Sequence, residues 1–142
     1  NSQKQVSDAN AKAIYKLKDQ NITFVMATGR SDVMTKAYTK QLKNADIVIT
    51  GEGCLDGQTV MGKAPVGVAK IAREFQKPVL AFSGCVTEDA KACHAAGIDA
   101  FFPIVRGVIS LEDAMQTDHA KQNMTDTVEQ VFRMLRTFQN IK

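Results

Sequence analysis

The stretch DIVITGEGCLDGQTVMGKAPVGVAKIAREF, residues 46–75, decides how the chain is read. It opens on a short apolar run, DIVI, the pattern of a buried strand. It closes on VGVAKIAREF, which has helical spacing, and Pro65 suits the first helical turn, where its missing N–H would be unpaired anyway. A strand that feeds a helix is half of a βαβ unit, and repeated units of that kind build a parallel sheet. Between the two lies TGEGCLDGQTVMGKAP (50–65), far longer than the ~2–6 residues usual for such a connection. It carries four glycines, two carboxylates and one lysine.

The same alternation extends in both directions. On the amino-terminal side, Ser7 is a candidate N-cap with Val6 as a staple, and Ala11, Ile14 and Leu17 share a helical face. ITFVMATG (22–29) is a continuous apolar run ending in glycine, the pattern of a buried strand. Ser31 can cap a helix through Leu42, and ADIVIT (45–50) is the second strand.

On the other side, the helix begun at Pro65 runs to about Phe75 and KPVLAFSG (77–84) is the third strand. Thr87, followed by Glu88 and Asp89, starts a helix that stops at Gly97, the residue type favoured just past a helix end. AFFPI (100–104) is the fourth strand. Ser110 with Asp113 resembles a capping box, and the last helix carries Ala120, Met124, Val128, Val131, Leu135 and Phe138 as a core-facing stripe. The expected architecture is a single α/β domain over 1–142. It has a small open parallel sheet of about four strands flanked by helices, flavodoxin-like or Rossmann-like, and a helical C-terminus. No strand precedes the first helix, so the chain reads as if cut at its front.

Composition narrows the function classes. The 142 residues are 44% hydrophobic and 23% charged, ordinary for a folded globular domain. A net charge of +3, with no dense basic run, gives no footprint for nucleic-acid binding. The apolar runs are too short for a membrane-spanning helix, and NSQKQVSDAN lacks the apolar core of a signal peptide. Cys54, Cys85 and Cys93 are odd in number and contain no CxxC, which argues against a disulfide framework and for a reducing, cytoplasmic setting. Cys93-His94 has no second ligand pair at metal spacing. Neither His94 nor His119 stands near a plausible nucleophile, so a Ser/His or Cys/His hydrolase is not expected.

Ligands of open parallel sheets bind beyond the carboxyl ends of the strands. Four segments fall there: TGRSD (28–32), the long loop, SGCVTED (83–89) and PIVRGVIS (103–110). In the first, third and fourth, glycine and hydroxyl residues are also ordinary turn and cap chemistry. The long loop offers more. Gly51, Gly53, Gly57 and Gly62 permit close backbone approach. Glu52 and Asp56 could hold Mg²⁺ or take a proton from a hydroxyl, and Lys63 stands just before a helix start, suited to a phosphate. It is neither a Walker loop, since Ala64 follows the lysine, nor GxGxxG. Chemistry alone leaves open a phosphate-and-metal loop or a solvated one.

From about Asn44 onward, the chain resembles the C-terminal part of the bacterial glycerate kinase family. That family's pattern runs GEGRxDxQTxxGKxPxGVA, then a strand, then GIDAxFPI and a capped helix. Here the corresponding stretches are NADIVITGEGCLDGQTVMGKAPVGVAKIA, KPVLAFSGCV and GIDAFFPIVRGVISLEDA, in the same order and spacing. The resemblance implies ATP-dependent phosphorylation of D-glycerate with Mg²⁺. By that resemblance Asp56 and Lys63 are the candidate catalytic residues, with Asp56 as base or orienting group for the glycerate hydroxyl. Glu52 and Asp56 are candidate metal ligands. Gly51, Glu52, Gly53, Gln58, Thr59, Gly62 and Ser83 are candidate substrate or phosphate contacts.

Cys54 departs from the family's arginine and cannot replace a guanidinium fork. The family's members are also longer, with an opening strand and loop and a second α/β domain. The expectation is therefore an incomplete active site, and the alternative is a non-catalytic phosphate-binding or purely structural hybrid domain. Residues 1–42 resemble a different family, the haloacid-dehalogenase-type sugar phosphatases, whose T-G-R strand end contacts phosphate; Thr28 is the matching residue. That family's nucleophilic aspartates are absent. The combination suggests a chimera joined near 42–44. Expected partners are glycerate and ATP, with no nucleic acid and no membrane, and a homodimer if the open sheet edge is covered by a second copy.

Overall fold

The computed structural model describes residues 8–19, 23–29 and 44–139. The Ser7 cap and the helix expected over 31–42 lie outside the described residues. In chain order the elements are α1 (Asp8–Asp19), β1 (Val25–Ala27), β2 (Ile47–Leu55), a 3₁₀ turn (Gly57–Met61) and α2 (Ala64–Glu74). There follow β3 (Val79–Val86), a second 3₁₀ turn (Glu88–Lys91), α3 (Ala92–Ala95), β4 (Ala100–Pro103), α4 (Leu111–Met115) and α5 (Thr117–Gln139).

The four strands form one parallel sheet in the order β1-β2-β3-β4. Flavodoxin-like and Rossmann-like sheets reverse their strand order at a switch point; here the described strands run in chain order, so the likeness lies in the parallel open sheet. Crossovers that step in one direction place their helices on one face. Accordingly α2 and α3 share the face of Val48, Val79 and Ala81. On the opposite face Leu80 and Phe82 pack with Val131, and Val128 and Leu135 lie against them, so α5 supplies the third layer. Phe82 and Phe102 stack there with ring centroids 5.6 Å apart.

Two aspartates fix the register at the amino edge. Asp46, just before β2, accepts the Phe24 amide at 2.8 Å, and Asp99, just before β4, accepts the Val79 amide at 2.7 Å. Each also returns its own amide to the same partner's carbonyl, Phe24 O at 2.8 Å and Val79 O at 2.9 Å. These pairings use strand-opening groups that would otherwise be unmatched.

Helix α2 forms where the sequence predicts it, with Pro65 in its first turn and Lys63 at the N-cap. Val66, Val68, Ala69, Ile71 and Ala72 are buried, and each full-sized aliphatic among them contributes about 1.5–3 kcal/mol by leaving water. Lys70, Arg73 and Glu74 form the exposed side. The helix closes through Gln76, whose φ of 54° is left-handed, while the Lys77 amide bonds Ala72 O at 3.1 Å.

Three expectations change. Strand β2 does not stop at Thr50 but continues to Leu55, with Glu52 opposite Ser83, Cys54 opposite Cys85 and Leu55 opposite Val86. Six of the sixteen residues of the apparent loop, 50–55, are therefore strand. The stripe on the last helix is core-facing only in part: Val131 is buried, but Phe138 is 63% exposed. The predicted Thr87–Gly97 helix is a 3₁₀ turn followed by the single turn α3, although it does end at Gly97 with φ of 108°.

The cysteines also differ from the expectation of no disulfide. Cys54 and Cys85, 31 residues apart, are joined in a disulfide with Cα atoms 4.6 Å apart, leaving Cys93 free and buried. Counting cysteines and looking for CxxC misses this pair because parallel register, not local spacing, brings it together.

Candidate active site

The carboxyl end of β2 and the 3₁₀ turn after it gather four of the predicted residues. Strand β2 carries Glu52; Asp56 follows the strand; Thr59 lies in the turn; Lys63 caps α2. Thr59 is the hub. Its side chain is fully buried, and Oγ1 lies 2.8 Å from Glu52 Oε1 and 3.0 Å from Asp56 Oδ1. The same oxygen accepts the Asp56 amide at 3.2 Å. One hydroxyl thus ties two carboxylates to one turn.

The charge of those carboxylates is balanced by Lys63, whose Nζ donates to Asp56 Oδ1 at 2.9 Å and to Oδ2 at 3.0 Å. The Lys63 ammonium is the main reason that the Asp56 carboxyl is held below its ordinary range; Thr59 adds to the effect and desolvation opposes it. Conversely, Asp56 raises the Lys63 pKa above its ordinary value, with Glu52 contributing through its charge. Asp56 is therefore held ionised and Lys63 protonated.

The glycines have distinct roles. A Cβ on Gly51 would lie 2.0 Å from the Phe82 carbonyl oxygen, so only glycine allows β2 and β3 to approach there. Gly62, with φ of 108°, turns the chain from the 3₁₀ turn into α2. Gly53 has open space around its Cβ position.

The other candidates are placed less directly. Ser83 lies opposite Glu52 but is buried, with its hydroxyl donated to Cys85 O at 2.7 Å. Gln58 is exposed on the turn. Thr28 donates its amide to Ile49 O at 2.8 Å and lines a cleft of about 640 Å³ with Gly51 and Glu52. Ile49, Phe82, Ile104, Met124 and Val128 give that cleft mostly apolar walls. Sequence reasoning placed the polar loop but missed the apolar cleft, because its walls come from β2, β3, the segment after β4, and α5. Glu52 belongs to both features, so a charged cluster and an apolar cleft adjoin.

Among the described residues, no group of three or more His, Cys, Asp or Glu side chains is arranged to hold a metal ion. Cys93 instead donates its thiol toward Asp56 O at 3.9 Å, and His94 stacks on Phe101 with its Nδ1 2.8 Å from Ile98 O. Glu52 and Asp56 do converge through Thr59, which is compatible with Mg²⁺, an ion commonly held by one or two carboxylates with water and phosphate oxygens. Lys63 already engages both Asp56 oxygens, so Glu52 is the better placed of the two.

Comparison with known proteins gives a consistent picture. The sequence profile described as the glycerate kinase family matches residues 21–136. The chain is 46% identical over 94 residues to a glycerate kinase of Haemophilus influenzae, covering 66% of this chain and 24% of the relative. It is 46% identical over 102 residues to a glycerate kinase of Bacillus subtilis, covering 70% of this chain and 26% of the relative. A crystal structure from Salmonella typhimurium LT2, described as a candidate glycerate kinase 2, superposes with a TM-score of 0.52 at 34% identity. That superposition covers 78% of this chain and 27% of the other. The chain spans about a quarter of the length of these curated relatives. The family match runs across residues 42–44, so the expected phosphatase-to-kinase junction has no support, and Thr28 falls inside the same family match as the loop.

Proposed function

This chain belongs to the glycerate kinase family, and from that premise we propose that it carries the phosphate-handling loop of an ATP-dependent kinase acting on D-glycerate. The observation that carries the reading is the Lys63–Asp56 pair, held by Thr59 beside Glu52 and next to the apolar cleft. Phosphoryl transfer asks for positioning and for neutralisation of charge on the transferred group. A lysine kept protonated by a neighbouring carboxylate supplies the second without a proton-transfer step.

Asp56 then orients more than it deprotonates. A carboxylate with a lowered pKa is a weak base, so its part is to aim Lys63 and to accept a hydrogen bond from the glycerate hydroxyl. Glu52 would hold Mg²⁺, which when bound neutralises phosphate charge, with water and phosphate oxygens as the other ligands. The cleft falls within the usual ~300–1,000 Å³ of small-molecule sites, and its apolar walls suit the flat part of a nucleotide. Gly51 and Thr28 would form its floor. Residues 1–142 are read as one α/β domain, and a cytoplasmic setting goes with an ATP-consuming reaction.

The test is coupled ADP release by the 142-residue chain with D-glycerate, ATP and Mg²⁺, run beside Asp56→Ala. The expected result is release above that of the variant. Equal rates would sink phosphoryl transfer by this chain, and calorimetric heat with ATP but no turnover would favour a phosphate-binding domain instead.

A further inference from the structure

Strands β2 and β3 pair rung by rung: Val48 with Val79, Thr50 with Ala81, Glu52 with Ser83 and Cys54 with Cys85. The first rungs are core. The last emerges at the candidate site, where Cys54 is half-buried and Cys85 exposed. Cys54 stands between Glu52 and Asp56 in the chain, so a bond from it to Cys85 ties the carboxylate-bearing segment to β3.

The two cysteines do not need that bond to stay together. Glu52 and Ser83 pair before them and Leu55 and Val86 after them. Beyond that, Thr87 donates its amide to Leu55 O at 2.9 Å and its hydroxyl to the same oxygen at 3.2 Å. The ladder on both sides keeps the Cα separation at 4.6 Å, inside the ~4.4–6.8 Å that a disulfide requires. Reduction therefore leaves a preorganised dithiol, and closing it costs little chain entropy.

We propose that Cys54 and Cys85 are a reversible thiol–disulfide modification site that clamps the candidate active-site segment to β3, with small-molecule disulfides as oxidant and dithiols as reductant. The inference goes beyond the kinase reading and does not depend on turnover. In the oxidising direction the exposed Cys85 thiolate attacks one sulfur of a small disulfide, forming a mixed disulfide and expelling one thiolate. Cys54, after losing its proton, attacks the Cys85 sulfur and expels the second. Two electrons pass from the two cysteines to the small disulfide, which leaves as two thiols. A dithiol reverses both steps. Cys93, buried, takes no part.

The test is made on the reduced 142-residue chain exposed to oxidised glutathione and followed by intact mass and peptide mapping. The expected product has lost two hydrogens, carries no glutathione and maps to a Cys54–Cys85 link. Cys54→Ser should instead retain one glutathione on Cys85, and Cys85→Ser should form no intramolecular link. Hydrogen exchange over residues 52–63 should be several-fold slower in the oxidised than in the reduced chain. A stable glutathione adduct on the unmutated chain, a link involving Cys93, or equal exchange in the two states would overturn the proposal.

Discussion

Lys63 Nζ is within hydrogen-bonding distance of both carboxylate oxygens of Asp56, at 2.9 and 3.0 Å, across seven residues that include a complete 3₁₀ turn. The pair closes that turn onto the start of α2, so its protonation states are linked to folding. Asp56 has a folded pKa below its ordinary 3.8, so its contribution is present above that value and is lost as pH falls through the folded pKa. Lys63 has a folded pKa above its ordinary 10.5, so its contribution is present below that value and is lost as pH rises through the folded pKa.

Urea titration against pH should therefore show the unmutated chain and Lys63→Met separated by a small, constant difference between roughly pH 5 and pH 9. The gap should close at both extremes. Asp56 in the variant should titrate nearer its ordinary value, moving the acid limb upward. A difference that keeps growing through the neutral range would show that the pair is not its source.

Thr59 gives a sharper contrast. Its hydroxyl is buried, accepts the Asp56 amide and has one proton to share between the Glu52 and Asp56 carboxylates. Thr59→Val keeps the shape and strands those partners, which should cost about 1–3 kcal/mol in chemical denaturation. Thr59→Ser keeps the hydroxyl and loses one methyl, for about 0.5–1.5 kcal/mol. Serine proving as damaging as valine would assign the effect to packing.

Two neighbouring glycines should separate close approach from mere loop character. Gly51→Ala drives a methyl into the Phe82 carbonyl oxygen, a backbone atom unable to swing aside, and should cost about 3 kcal/mol. Gly53→Ala meets nothing within 4 Å and should stay within about 0.5 kcal/mol of the parent. Thermal unfolding of the two variants checks the ranking, and equal losses would refute it.

These glycines also explain what could be read from sequence. The parallel α/β arrangement, Pro65 in the first turn of α2, the Ser110 cap, whose Oγ accepts the Asp113 amide at 3.0 Å, and the stop at Gly97 are local signals, and the structure contains each. The gathering of Glu52, Asp56, Thr59 and Lys63 was legible too, because they are close in the chain as well as in space. The length of β2 was not: glycine is depleted in strands, so Gly51 and Gly53 suggested a loop, whereas Gly51 is what lets β3 come close. Cys54–Cys85, the hydroxyl of Ser83 turned to Cys85, and the apolar cleft all depend on register between distant segments, which no local pattern encodes.

The last prediction divides the roles of Asp56 and Lys63. If Lys63 neutralises phosphate and Asp56 mainly aims it, the two variants should differ in kind. Lys63→Met removes the cation and should abolish measurable heat with ATP and Mg²⁺. Asp56→Asn removes the negative charge and one of the two acceptors of the ammonium, so ATP should bind as tightly or more tightly. Turnover with D-glycerate should nevertheless fall at least about 100-fold, the scale of losing orientation at a reacting centre. Calorimetry and coupled ADP release on the same preparations read the two effects separately. Loss of ATP binding in Asp56→Asn would instead place the aspartate in direct contact with the nucleotide's metal.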